Sequence, residues 1–262
     1  MQIAVAGKGG SGKTTLTGIL ARVTARNGHR VLAIDADPNP NMAAAMGVSR
    51  EEAAQLKVIP RDMAEWREDD LGRAYVHLHQ PLDQIAREYG VNVPDGVRLL
   101  VTGQIKEAGI GCMCQPHAIA RGLMANVGDW ADVTVTDMEA GLEHLSRGTA
   151  EHADVMLVVV EPYFRSLDTG ARAADLAKEL GIRRIFFIAN KVRNDGERAA
   201  VAEVAKRKGF EMIASVPYDE ALPEADRLGL SPLDFAPQSP AVEAVKQLAH
   251  DLEVRMAGAA AG

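Results

Sequence analysis

The chain has 262 residues, of which 47% are hydrophobic, and its 29 Lys plus Arg against 36 Asp plus Glu give a net charge of −7. This size and content suit one large domain with its own core, and the acidic balance argues against a broad nucleic-acid-binding face. No apolar stretch approaches a membrane span and residues 1–6 lack the features of a secretion signal, so we expect a cytoplasmic protein that binds neither nucleic acid nor membrane.

Short apolar, β-branched runs alternate with helical patterns along the chain. Strand-like runs occupy residues 3–6, 31–34, 97–101, 133–136, 155–160, 185–189 and 212–216, and helical patterns occupy residues 14–26, 142–150, 167–180, 196–208 and 241–254. This alternation predicts a single α/β domain with a mostly parallel sheet and helices on both faces. The charged residues 46–94 predict helices and loops without strong strands. We place the domain at residues 1–256 and a disordered Ala/Gly tail at residues 257–262.

A glycine-rich loop follows the first predicted strand. Residues 7–15 read Gly-Lys-Gly-Gly-Ser-Gly-Lys-Thr-Thr, which matches the phosphate-binding pattern G-x-x-x-x-G-K-[ST] and opens a helix. Backbone N–H groups and the helix N-terminus bind phosphate oxygens in such loops. We expect Lys13 to bridge the β- and γ-phosphates of ATP and the Thr14 hydroxyl to bind Mg²⁺. The predicted nucleotide-binding residues of the loop are Gly9, Gly10, Ser11, Gly12, Lys13, Thr14 and Thr15.

Lys8 is an additional lysine within this loop. Residues 8–14, Lys-Gly-Gly-Ser-Gly-Lys-Thr, resemble the deviant Walker A motif of the P-loop family that contains septum-site and partition ATPases, the nitrogenase iron protein and metal-insertion ATPases. In that family the extra lysine reaches across a two-fold interface to the partner's nucleotide. The resemblance implies an ATPase that forms a homodimer when ATP is bound, with Lys8 and Lys13 as catalytic residues.

Carboxylates follow two of the predicted strands, at the sheet edge where ligands of such folds bind. Asp35 and Asp37 come after the second strand. By resemblance, Asp37 positions the attacking water and Asp35 is its neighbour in switch I, although an Asx turn that ends the strand is the alternative for both. Asp137 resembles the Walker B aspartate that holds Mg²⁺ through water. Gly141 in the following switch II would let the backbone move with the γ-phosphate.

Two later strand ends resemble the family's adenine-binding residues. Asn190 and Lys191 follow the strand at residues 185–189, and Pro217 and Asp219 follow the next one. The resemblance implies that the first pair contacts the base and that the second pair forms the opposite wall of its pocket.

Cys112 and Cys114 are the two cysteines of the chain. A single residue separates them, and a glycine-containing stretch precedes them. A disulfide between them would be strained and would restrain almost nothing. Soft thiolates suit Ni²⁺, Zn²⁺ or an iron–sulfur cluster. A site with four thiolates requires the cysteines of two chains, in agreement with the dimer predicted from Lys8. A pair buried by packing is the alternative. His117 is either an additional metal ligand or a surface or capping residue, and His144 is interpreted as structural.

The thiol pair, the deviant Walker A motif and residues 137–148, Asp-Met-Glu-Ala-Gly-Leu-Glu-His-Leu-Ser-Arg-Gly, together resemble the CooC-type accessory ATPases of carbon monoxide dehydrogenase. The resemblance implies a maturation factor that binds Ni²⁺ (or Zn²⁺) at thiols in a dimer interface and uses ATP to deliver it to that client metalloenzyme. An iron–sulfur scaffold ATPase is one alternative, because thiolates do not choose between these metals. A partition or septum-positioning ATPase is another, although residues 241–256 lack the basic amphipathic character of a membrane-binding helix.

Overall fold

A mostly parallel sheet forms the centre of the computed structural model, which describes residues 1–103 and 114–260, with side chains for 1–103 and 115–256. Its strands and those of a separate hairpin are β1 (Gln2–Gly7), β2 (Val31–Asp35), β3 (Ala64–Glu68), β4 (Ala74–Leu78), β5 (Val91–Asn92), β6 (Arg98–Val101), β7 (Val133–Asp137), β8 (Val155–Val160), β9 (Arg184–Val192) and β10 (Glu211–Pro217). Eight strands pair in the order β10-β9-β8-β1-β7-β2-β6-β5. Among the described strands of this sheet, only β5 runs antiparallel to its neighbour. The predicted α/β class is therefore confirmed.

Helices cover both faces of this sheet. In chain order they are α1 (Lys13–Arg26), α2 (Met42–Ala45), α3 (Arg50–Ala53), α4 (Leu82–Tyr89), α5 (Cys114–Ala125), α6 (Glu143–Ser146), α7 (Phe164–Glu179), α8 (Asp195–Arg207), α9 (Ala221–Leu228), α10 (Pro232–Phe235) and α11 (Pro240–Ala260). Helices α1 and α11 contribute to one hydrophobic core, and α5, α7 and α8 contribute to the other. None of the helices described is long and apolar enough to span a membrane.

The central strands are buried on both sides because their side chains alternate between the two cores. In β1, Ile3 and Val5 belong to the core under α1, whereas Ala4 and Ala6 belong to the core under α5 and α7. All six side chains of β8 are buried. Each buried Val or Leu side chain contributes roughly 1.5–3 kcal/mol relative to an exposed one. These strands therefore hold their carboxyl ends, where the predicted site residues lie, in fixed positions.

The prediction for residues 46–94 was wrong about strands. Strands β3 and β4 form an antiparallel hairpin in which Ala64 pairs with Leu78 and Trp66 pairs with Val76. Ala64, Val76 and Leu78 are buried in the core cluster that also contains residues of α5. The charged residues on the exposed side of β3 hid the alternation from the sequence analysis.

Two predicted boundaries also differ from the structure. The helix expected at residues 142–150 is the single turn α6, because Gly148 adopts a left-handed φ of +71° that ends it. Helix α11 continues to Ala260, so four of the six residues assigned to a disordered tail are helical. Residues 261 and 262 lie outside the described part of the chain.

Candidate nucleotide site

The glycine-rich loop joins β1 to α1 at the carboxyl edge of the sheet. Gly12 immediately precedes α1 with a left-handed φ of +89°, and a Cβ atom there would lie 2.3 Å from Asn190 Nδ2. That amide donates a hydrogen bond to the Ser11 carbonyl at 2.7 Å. Only glycine fits between the helix start and this side chain. The hydroxyl of Ser11 is buried and has no hydrogen-bond partner among the described residues.

Thr14, Lys13 and Asp137 meet directly behind the loop. The Thr14 hydroxyl donates to Asp137 Oδ2 at 2.6 Å. Burial raises the pKa of Asp137 to about 7, against the opposing effects of the Thr14 hydrogen bond and the Lys13 charge. Burial also lowers the pKa of Lys13, which the carboxylates of Asp137 and Asp37 oppose. The amine of Lys13 therefore makes this position suitable for a negatively charged group such as a phosphate.

The oxygen atoms at this position fit Mg²⁺. Asp137 is 1% exposed, and its Oδ1 atom has no hydrogen-bond partner in the described parts of the chain. A buried polar atom without a partner costs about 1–3 kcal/mol, and hard oxygen donors are the ligands that Mg²⁺ prefers. The Thr14 hydroxyl and the Asp137 carboxylate are therefore suited to hold the ion directly or through water.

Asp35 and Asp37 organise the segment that follows β2. Asp35 is fully buried and accepts the backbone N–H groups of Asp37 at 3.2 Å and Met42 at 2.9 Å. Burial and the neighbouring Asp137 raise its pKa well above the usual value. Asp37 accepts the N–H of Asn39 at 2.8 Å. Both carboxylates thus make the turn-forming bonds considered as the alternative. Of the two, only Asp37 is partly exposed, and its charge acts to raise the pKa of Lys13 against the larger effect of burial.

A cavity of about 510 Å³ extends from the loop toward the ends of β9 and β10. Of the residues predicted for the nucleotide site, those that line it are Gly10, Gly12, Lys13, Thr14, Thr15, Asn190, Lys191, Pro217 and Asp219. This volume lies in the range of small-molecule sites. The structure therefore brings the predicted phosphate-binding and adenine-binding residues together around one cavity.

Two of the predicted base-contacting residues already have protein partners. Lys191 Nζ donates to the Gly10 carbonyl at 2.6 Å and lies 3.0 Å from a carboxylate oxygen of Glu161. The Asp219 carboxylate accepts the N–H groups of Ala221 at 2.9 Å and Ala241 at 3.3 Å. Asp219 therefore supports the starts of α9 and α11 as well as lining the cavity.

Lys8 lies at the rim of the loop, half-buried, with Nζ 5.7 Å from the centre of the Tyr163 ring. The Tyr163 hydroxyl donates to Glu161 Oε2 at 2.8 Å. The same Glu161 carboxylate contacts Lys191. The sequence analysis did not identify Tyr163 or Glu161, although their position just after β8, at the same sheet edge, was a signal that could have found them.

The residues around the thiol pair are only partly described. Cys112 lies outside the described residues, and Cys114 is the first residue of α5, with its side chain outside them too. No group of three or more His, Cys, Asp or Glu side chains that could hold a metal occurs in the described segments. Of the alternatives considered for His117, the surface position was wrong, because the residue is 2% exposed and its Nε2 lies 2.7 Å from Glu139 Oε2. His144 is 1% exposed, and burial lowers its pKa to about 3.

Comparison with known proteins identifies the family of this fold. The model of the CobQ/CobB/MinD/ParA nucleotide-binding domain matches residues 3–247. The chain belongs to this family. It is an ATPase of the MinD/ParA type, and its fold is shared with the septum site-determining protein MinD of Pyrococcus horikoshii, solved with Mg-ADP, at a TM-score of 0.73, 18% identity and coverage of 96% of this chain and 95% of that chain.

Two curated relatives narrow the assignment within this ATPase family. The carbon monoxide dehydrogenase accessory protein CooC of Rhodospirillum rubrum is 39% identical over 243 residues, which cover 90% of this chain and 91% of CooC. An uncharacterized ATP-binding protein of Methanocaldococcus jannaschii is 36% identical over 233 residues, which cover 87% of this chain and 90% of that protein. The CooC-type assignment made from the motifs is therefore confirmed.

Proposed function

We propose that this ATPase is a maturation factor that binds nickel at Cys112 and Cys114 and helps to insert it into carbon monoxide dehydrogenase. The observation that carries the proposal is the 39% identity to CooC along nine-tenths of both chains. The closely spaced cysteine pair supports it, because two thiolates per chain are half of a four-thiolate metal site. Nickel, or zinc in its place, is the cargo of such a protein.

The nucleotide chemistry follows from the groups around the cavity. Lys13 binds the β- and γ-phosphates, and the N–H groups of the glycine-rich loop bind the phosphate oxygens. Thr14 and Asp137 hold Mg²⁺, which when bound neutralises charge on the phosphates. Asp37, the carboxylate partly exposed beside Lys13, positions the water that attacks the γ-phosphate. The adenine position is enclosed by Asn190, Lys191, Pro217 and Asp219.

The metal site and the nucleotide site both require a homodimer in this account. Lys8 reaches the nucleotide of the partner, as the family resemblance implies, when it leaves the ring of Tyr163. Two copies of the cysteine pair, one from each chain, then supply four thiolates to one metal ion. ATP binding closes this dimer and hydrolysis reopens it, so the nucleotide changes the geometry at the cargo.

Metal stoichiometry tests the proposal. Protein purified without oxygen is compared with a Cys112→Ser/Cys114→Ser variant, and the oligomeric state is recorded with ADP and with ATP. The expected result is one Ni²⁺ or Zn²⁺ per dimer, lost in the variant, with ATP-dependent dimers. Iron with sulfide would replace the proposal with an iron–sulfur scaffold ATPase. The absence of thiol-dependent metal would reject metal carriage altogether.

A further inference from the structure

A buried polar contact joins the predicted switch II segment, residues 137–148, to helix α5. His117 Nε2 lies 2.7 Å from Glu139 Oε2, and the two side chains are 2% and 22% exposed. Burial lowers the pKa of His117, although Glu139 opposes the shift. A carboxylate only accepts hydrogen bonds, so the neutral imidazole carries its proton on Nε2 and donates it to Glu139. This contact offsets the desolvation of both groups.

Residues on either side of Glu139 in the sequence form hydrogen bonds with the phosphate loop. Two residues before it, Asp137 accepts the hydrogen bond of Thr14 at 2.6 Å. Two residues after it, the Gly141 N–H donates to the Gly7 carbonyl at 3.3 Å, with Gly141 at a left-handed φ of +100°. A rearrangement of either bond upon nucleotide binding therefore displaces Glu139.

The His117 end belongs to helix α5, whose neighbouring side chains are packed into the core. Next to His117, the side chains of Ala118, Ile119 and Ala120 are at most 2% exposed. A hydrogen-bonded helix rises 1.5 Å per residue and resists bending over so short a length. Helix α5 begins at Cys114, three residues and about one turn before His117. A displacement at His117 therefore reaches the first residue of the helix.

We propose that His117 and Glu139 are a positioning pair that couples the state of the phosphate site to the start of α5. The inference rests on the proposed function, since it assigns to this pair the control of the nickel-binding thiols by ATP. The route runs from Thr14 through Asp137 and Glu139 to His117. It gives switch II a direct mechanical connection to the cysteine-bearing helix.

The same helix offers a matched control. Arg121, four residues after His117, donates to Glu151 Oε1 at 2.7 Å, and Glu151 lies beyond switch II. If every polar contact on α5 had only a structural role, the Arg121 and His117 variants would behave alike. Coupling through switch II would separate them.

Amide hydrogen exchange of α5, measured with ADP and with a non-hydrolysable ATP analogue, tests the pair. The wild-type helix should exchange at different rates in the two states. His117→Leu, which keeps the buried volume, should abolish that difference, and Glu139→Ala should do the same without a further effect when the two are combined. Arg121→Gln should retain the difference, and His117→Gln, whose amide still donates to Glu139, should restore part of it. A difference that persists in His117→Leu, or that is absent from the wild type, would overturn the inference.

Nickel binding by the same variants separates this inference from the proposed function. His117→Leu should retain thiol-dependent nickel, but the ratio of nickel dissociation constants between the two nucleotide states should fall toward one, from the roughly 5–150-fold typical of coupled sites. A wild-type protein without thiol-dependent metal would reject the proposed function, while the exchange data would still decide whether the pair couples switch II to α5. A nickel ratio unchanged in His117→Leu would reject the pair as the coupling element.

Discussion

Replacing Asp137 with Asn should stabilise the nucleotide-free protein at neutral pH while it ends ATP hydrolysis. The carboxylate is fully buried, with a pKa raised to about 7 by desolvation and an oxygen atom without a hydrogen-bond partner among the described residues. Asn retains an oxygen that can accept the Thr14 hydrogen bond, and it carries no charge to desolvate. The gain in stability and the loss of activity have the same cause. The carboxylate charge of Asp137 is needed to bind Mg²⁺, but it destabilises the protein when it is buried without the ion.

The magnitude follows from the difference between the folded and unfolded pKa values of Asp137. In the unfolded chain the carboxyl ionises near its ordinary pKa of 3.8, and in the folded chain its pKa lies near 7. The folded state therefore holds a proton that the unfolded state releases, and stability falls as the pH rises between these values. The complete loss is on the order of 4 kcal/mol, and more than half of it falls between about pH 5 and about pH 8.

Denaturant unfolding measures this pH-dependent loss of stability. The nucleotide-free wild type and the Asp137→Asn variant are compared at about pH 5 and about pH 8, with a chelator present. The variant should lack most of the loss seen in the wild type. The substitution should also lower the pKa of Asp35, because Asp137 is one of the causes that raise it. This effect should further increase the stability of the variant at neutral pH. Asp132→Asn is a control of opposite sign, because hydrogen bonds from Arg30 lower the pKa of Asp132 to about 2 and its removal should destabilise at neutral pH. Equal pH dependence in the wild type and Asp137→Asn would refute the reasoning.

Three further substitutions test the nucleotide site. Lys8→Ala should abolish ATP-dependent dimers in light scattering without unfolding the chain, and dimers that persist unchanged would remove Lys8 from the interface. Asp37→Ala should slow hydrolysis by about a hundredfold or more while ATP binding is retained, and normal turnover would exclude it from catalysis. Gly12→Ala should cost about 2–3 kcal/mol, from left-handed strain and the lost Asn190 hydrogen bond. Gly181→Ala has a similar φ of +82° and open space around its Cβ position, so it should cost only the strain, and equal losses in the two alanine variants would show that the contact with Asn190 is unimportant.

The parts of the fold predicted from sequence are those determined by local patterns. The phosphate loop was predictable because its glycines, Lys13 and Thr14 form one continuous segment between a strand and a helix. Asp137 and Asn190 were predictable because each follows an apolar run of the sequence, and both lie in the C-terminal part of parallel strands, whose ends meet at one edge. The hairpin β3–β4 was missed because charged residues such as Arg67 and Glu68 and exposed aromatic residues, Trp66 and Tyr75, obscure the alternation of its strands.

Contacts between distant segments were beyond the sequence analysis. His117 and Glu139 are 22 residues apart and meet only because α5 packs beside switch II. Tyr163 approaches Lys8 from the other side of the loop. Neither contact has a spacing or motif that predicts it, since the packing of whole elements determines both. The burial of His117, which corrects its interpretation as a surface residue, has the same origin.

The central claim is that ATP turnover drives nickel delivery. The most direct measurement is the transfer of radioactive nickel from the loaded protein to nickel-free carbon monoxide dehydrogenase, with MgATP, with a non-hydrolysable analogue, and with MgATP in the Asp37→Ala variant. Transfer should require both hydrolysis and the Cys112–Cys114 pair. Transfer at the same rate without nucleotide, or from the Cys112→Ser/Cys114→Ser variant, would contradict this claim.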